Sequence, residues 1–238
     1  EGDGRQQRTV EVTDKGIGIL PNQITSTILS LNESNKVTKH YLAGTYGQGG
    51  SATFATSQFT LIASRHQDGD PVGFTLVKYL DLPAETYKTG HYVYLASAGE
   101  ILDAKVPIGD FARGTKCKHF GYDLSKYGSP LGPGSVYGLL QRVLFDPVMP
   151  IWLHSKIHKY RRVIKGARNA LNGAVDEGDE SKGPTLSLHQ KMFYVSIDDF
   201  GRIGIESWVL PQPETGGQTP TASVVDPRLP IVFTLNGQ

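Results

Sequence analysis

Asp14 stands at the end of a strand-like segment and is followed at two-residue spacing by Gly16 and Gly18. A carboxylate in that place can accept a hydrogen bond from an exocyclic amine, and the glycines let a flat ring lie against backbone. A second run, Gly44-Thr-Tyr-Gly-Gln-Gly-Gly50, leads into Ser51-Ala-Thr-Phe-Ala-Thr56, which reads as a helix start with Ser51 as its cap. A glycine-rich turn feeding a helix offers unpaired N–H groups and the positive end of the helix dipole, a seat for phosphates. The third feature is Gly114-Thr115, opening a later strand. Taken together, the three features describe grips for the two ends of a nucleotide.

Each feature also has a plainer reading. Asp and Gly are common turn residues, so Asp14 to Gly18 also reads as an ordinary turn. Glycines before a helix occur in Rossmann and Walker loops too, but the chain has no Gly-Lys-Ser/Thr and no clear βαβ repeat. Thr115 suits a strand by propensity alone. Lys116 and Lys118 read as a solvated face, with Cys117 pointing the other way into the core.

The order and spacing of these motifs resemble those of the GHKL ATPases, which include gyrase B subunits, ninety-kilodalton heat-shock chaperones, sensor histidine kinases and MutL proteins. The resemblance covers roughly residues 8–120. It implies that Asp14, Gly16 and Gly18 bind adenine, with Thr115 joining through water. It also implies that Gly44, Tyr46, Gly47, Gln48, Gly49, Gly50 and Ser51 wrap the phosphates of ATP, with Mg²⁺ carried by the nucleotide. The fold it implies is α+β: a Bergerat-type sandwich, a mixed sheet covered by helices, followed by a smaller α/β transducer-like domain. The activity it implies is ATP binding and magnesium-dependent hydrolysis, driving lid closure, dimerisation or domain rearrangement. The alternative is a scaffold of the same fold without turnover, or a nucleic-acid-associated binding module. The family's magnesium-binding Asn and water-activating Glu lie on a helix before the first motif. Only 13 residues precede Asp14, and they read as a strand without Asn. A fragment of a longer protein is therefore expected, with no general base assignable.

The elements that must position these residues follow from patterning. Residues 8–13 alternate polar and apolar as a half-buried strand does. Pro21 with Ile24, Ile28 and Leu31 reads as a helix, and residues 32–50 as a lid. Strands are expected at 59–65, 73–79 and 114–120, the first two joined by a turn at 67–71. The breaker cluster 129–134 marks a junction, which divides the chain into 1–126 (nucleotide-binding) and 127–238 (transducer-like, incomplete at its C-terminus). In the second part a short helix is expected at 136–144, and a hairpin from 193–197 and 203–209 around Asp198-Asp-Phe-Gly201.

Composition bounds the remaining classes. Of the 238 residues 38% are hydrophobic and 20% charged, enough for a core, and the net charge of +1 gives no global field toward nucleic acid or membrane. Local patches must supply any such binding. The run Lys156, Lys159, Arg161, Arg162, Lys165 and Arg168, with no acidic residue among them, reads as a solvated face, a subunit contact in a homodimer, or a DNA or RNA contact. In the family a transducer lysine reaches the γ-phosphate, and any Lys of this run could be that residue. His154 and His158 could share a helical face, but no third metal ligand accompanies them. No apolar run approaches the roughly 20 residues of a membrane helix, so no membrane partner is expected. One cysteine fits a reducing compartment, the cytoplasm.

Overall fold

A computed structural model describes residues 7–30, 52–80, 83, 91–104, 111, 113–132, 134–172, 189–199, 201–209 and 231–234. The chain divides into two compact units, Glu1–Ser125 and Lys126–Gln238. Every strand pair among the described residues is antiparallel.

The first unit is built on one sheet. Strands β1 (Gln7–Thr13), β2 (Phe59–Arg65), β3 (Val72–Leu80), β4 (His91–Tyr94), β5 (Ala96–Ser97), β6 (Glu100–Ala104) and β7 (Gly114–Asp123) run in the order β1-β7-β2-β3-β6-β5, with β4 also paired to β3. Period-two alternation buries Thr60, Ile62 and Ser64 of β2 on one side. That face packs on Ile24, Leu29 and Phe54, with Val77 and Ile101 completing the cluster and Ile19, Ile28, Tyr92 and Cys117 against its edge. Each fully buried Ile or Val contributes about 1.5–3 kcal/mol. Tyr92 sets its ring edge against Phe54 at 5.2 Å and donates its hydroxyl proton to the Leu29 carbonyl. Polar groups on the buried face are paired: Thr75 Oγ1 donates to the Leu95 carbonyl at 2.7 Å, and Thr60 Oγ1 lies 2.8 Å from His119 Nδ1. Burial lowers the His119 pKa from its ordinary value, disfavouring the charged ring.

The second unit contains two hairpins and two short helices among its described residues. The hairpins are β8 (Ile151–Ser155) with β9 (Tyr160–Ile164), and β10 (His189–Ile197) with β11 (Gly201–Val209). Helix α1 (Val136–Val143) is capped by Ser135, whose Oγ accepts from Gly138 N at 2.9 Å. Its Gln141 side chain accepts from the N–H groups of Lys165 and Gly166, which ties the end of β9 to the helix. Helix α2 (Ala167–Leu171) packs against Phe145 and Trp208, and Trp208 Nε1 donates to Asn172 at 3.0 Å. Arg168 closes the arrangement with ion pairs to Asp146 at 2.7 Å and Glu206 at 2.9 Å.

This architecture corrects the expected α+β sandwich. Strand makes up 48% and helix 16% of the described residues, with only two α-helices among them, so the described residues form mostly β structure and neither a helix-covered mixed sheet nor an α/β second domain. The physical reason lies in two segments read as helices. Residues 21–30 form a single 3₁₀ turn, Pro21–Gln23, followed by turns. They are rich in Ile, Thr and Ser, and the hydroxyls of Ser26 and Thr27 bond back to the Gln23 carbonyl, competing with a helical ladder. Thr53–Thr56 is likewise one 3₁₀ turn, with Thr56 Oγ1 donating to the Thr53 carbonyl.

Candidate functional site

Pairing of β1 with β7 brings Asp14 beside Thr115, 101 positions away in sequence. Asp14 N donates to the Thr115 carbonyl at 2.9 Å, and Thr115 N donates to Asp14 Oδ1 at 3.2 Å. Gly16 N donates to the same oxygen at 2.8 Å. Two backbone donors therefore fix the carboxylate on one oxygen. Among the described residues nothing bonds Oδ2, and the side chain is exposed. Arg113 Nε donates to the Gly16 carbonyl at 3.1 Å, and His66 Nδ1 lies 2.8 Å from the Ile17 carbonyl, so the loop after Asp14 is held from both sides.

Ser64, not singled out in the sequence, is the hub behind this loop. It is fully buried at the end of β2. Its Oγ accepts from Ile19 N at 2.8 Å and donates to the Gly114 carbonyl at 3.0 Å. Thr115 Oγ1 lies 3.0 Å away. With the Ser64 proton on Gly114, the Thr115 hydroxyl must donate to Ser64, and its lone pairs are left as acceptors. The available signal was a serine on the inward-facing parity of a strand, and a small polar residue there needs partners at a sheet end.

Two glycines have a packing reason of their own. Gly18 has φ +65° and a Cβ there would collide with the Arg65 carbonyl, while Gly114 has φ +115° and its Cβ would collide with the Asp14 carbonyl. Close backbone approach explains both glycines without a ligand. At Gly16 a Cβ would stand 2.9 Å from Asp14 Oδ1, so glycine there keeps the carboxylate in its turn.

The phosphate-side set, Gly44, Tyr46, Gly47, Gln48, Gly49, Gly50 and Ser51, lies outside the described residues, as do residues 32–43 of the expected lid. An open depression of about 460 Å³ is lined by Ala55, Ser57, Gln58, Phe59, Lys78 and Tyr79. It sits at the Phe59 end of β2, about 17 Å of strand from Ser64 and the Asp14 loop. Among the described residues no group of three His, Cys, Asp or Glu could hold a metal ion. His154 and His158 are on a hairpin and its turn, not on one helical face. No described helix is long and apolar enough to cross a membrane.

Cys117 faces the core side, opposite Val12 on β1 and Ile62 on β2. Burial pushes its thiol up to about 11, and the Asp14 carboxylate adds to the shift. At pH 8 its thiolate fraction, and hence its alkylation by iodoacetamide, is expected to be about a hundredfold below that of an ordinary thiol. Mass spectrometry of a labelling time course checks this. Labelling in the native protein as fast as in urea would contradict the packing.

No protein-family model matches the chain, and no curated protein is significantly similar to it.

Proposed function

We propose that the chain binds ATP, with the Asp14 loop holding adenine and residues 44–51 meeting the phosphates. The observation that carries the reading is the Asp14 carboxylate: Gly16 N and Thr115 N anchor Oδ1, and Oδ2 is left as an acceptor for the 6-amino group. The Thr115 oxygen beside it accepts a water from the same edge of the base. A carboxylate paired this way favours a donor at position 6 and disfavours the carbonyl of guanine, so the site selects ATP over GTP.

The resemblance of the motif order to that of GHKL ATPases extends the proposal to Mg²⁺-dependent hydrolysis. The ion would arrive with the triphosphate, because the described residues build no seat for it. Contacts of the γ-phosphate with the glycine run would bias a two-state element toward closure or homodimerisation, and hydrolysis would release it. The lone cysteine, which can form no disulfide within the given sequence, accords with a reducing, cytoplasmic setting.

Isothermal titration with a non-hydrolysable ATP analogue, with and without Mg²⁺, tests the binding step. One site per chain is expected, with the GTP analogue at least tenfold weaker. Absence of heat and of competition by ATP, or equal affinity for both analogues, would contradict it. Phosphate release under the same conditions separates turnover from binding alone.

A further inference from the structure

The basic run Lys156–Arg168 is divided by the fold into two sets of cations with different tasks. Arg168 is committed to Asp146 and Glu206. Arg162 stacks its guanidinium on Tyr137 of α1, 5.7 Å from the ring centroid, and the backbone of Lys165 is tied to Gln141. These three fasten the β8–β9 hairpin to its unit. The remaining cations, Lys156, Lys159 and Arg161, are exposed.

Cross-strand register shows what accompanies them. Trp152 faces Val163 and His154 faces Arg161, so Trp152, His154 and Arg161 share one side of the ribbon. The opposite side carries Leu153, Arg162 and the buried Ile164 and is the one turned to α1. On the open side the Arg161 guanidinium lies 4.2 Å from the Trp152 ring centroid, and Trp152 is 48% exposed. A cation thus already covers part of a large π-system, and about half of the residue stays open to solvent. The tip adds Lys156 and Lys159, the latter at φ +54°, and His158 stacked on Tyr160 at an interplanar angle of 9°. No acidic residue occurs between Ile151 and Ile164.

We infer that the outer face of the β8–β9 hairpin is a binding surface for single-stranded nucleic acid, in which a base stacks on Trp152 while Lys156, Lys159 and Arg161 meet consecutive phosphates. A preordered aromatic platform among exposed cations is what sequence-tolerant binding of single strands requires. An anionic lipid surface is the competing match for exposed apolar and basic residues. It fits less well, because Ile157 lies at the hairpin tip and Val148 and Met149 lie before its base, so the exposed aliphatic groups form no single insertion tip. The inference concerns a unit separate from the Asp14 loop and stands independently of nucleotide binding.

Fluorescence anisotropy with a labelled 20-mer of oligo(dT), using the whole chain without ATP, tests it. The wild type is expected to bind with Kd on the order of 10 µM or tighter at 50 mM salt. The triple variant Lys156→Ala, Lys159→Ala, Arg161→Ala should lose at least tenfold and flatten the log–log salt slope by about 2. Trp152→Ala should lose about tenfold and Trp152→Phe should recover most of that loss. The pair Lys78→Ala, Lys118→Ala on the other unit should leave affinity unchanged. Circular dichroism and melting of each variant confirm that the hairpin's removal from binding is not loss of fold. Unchanged affinity in either hairpin variant, a preference for duplex over single strand, or binding only to phosphatidylserine vesicles would overturn the inference.

Discussion

Gly114→Ala is expected to destabilise the first unit by about 3 kcal/mol or more. Two costs add. The backbone at φ +115° is one that L side chains rarely adopt, and the new methyl would be driven into the Asp14 carbonyl. Relief requires β1 and β7 to part where Asp14 N bonds the Thr115 carbonyl, so the hydrogen bonds holding the carboxylate are strained with it. Gly69→Ala supplies the control. Its φ of +94° carries similar backbone strain, but nothing lies within 4 Å of the added Cβ. It is expected to cost about 1 kcal/mol. Urea denaturation followed by circular dichroism compares the two. Equal midpoints for both variants would mean that the Gly114 methyl finds room and that the β1–β7 junction is looser than described.

Asp14→Asn is expected to weaken ATP binding by about ten- to a hundredfold while leaving the fold intact. A hydrogen bond to a charged acceptor contributes about 1.5–3 kcal/mol, and the amide would present an N–H₂ toward the donor of the base in one orientation. The amide can still accept from Gly16 N and Thr115 N through its oxygen, so stability should change little. Selectivity should move more than affinity. With a donor available at the side chain, the preference for ATP over GTP should shrink or invert. Titration of both nucleotide analogues into the variant reads both quantities. Unaltered affinity and selectivity would remove Asp14 from the site.

Much of the strand framework was legible because alternation is a local signal. Residues 59–65, 73–79 and 114–120 carried it, and β2, β3 and β7 contain them. The hairpin about Asp198-Asp-Phe-Gly201 was legible from its turn chemistry, and Asp199 and Gly201 do take positive φ there. The helix misreading at 21–31 had a physical cause. Ile24 and Ile28 have helical spacing and are core residues or packed on the core, but their side chains reach the sheet from a chain of turns. Spacing alone does not distinguish those backbones when β-branched residues and hydroxyls fill the intervening positions.

At the candidate site, the proximity of Asp14 and Thr115 could be anticipated only through the family resemblance, because a sheet register between distant strands leaves no local trace. Ser64 was missed for the same reason: its three partners, Ile19, Gly114 and Thr115, come from two other segments. Trp152 and Arg161 are distant along a hairpin that was not anticipated, so the run of cations was read without the ring that one of them covers.

The most direct measurement of the central claim is amide hydrogen exchange by mass spectrometry, with and without a non-hydrolysable ATP analogue. If one nucleotide is held at both ends, peptides containing Gly16 and Thr115 and those spanning residues 44–51 should gain protection together, at the same analogue concentration, and lose it together in Asp14→Asn. Protection in the glycine run with none at Gly16 and Thr115, or protection confined to the depression beside Phe59, would contradict the account.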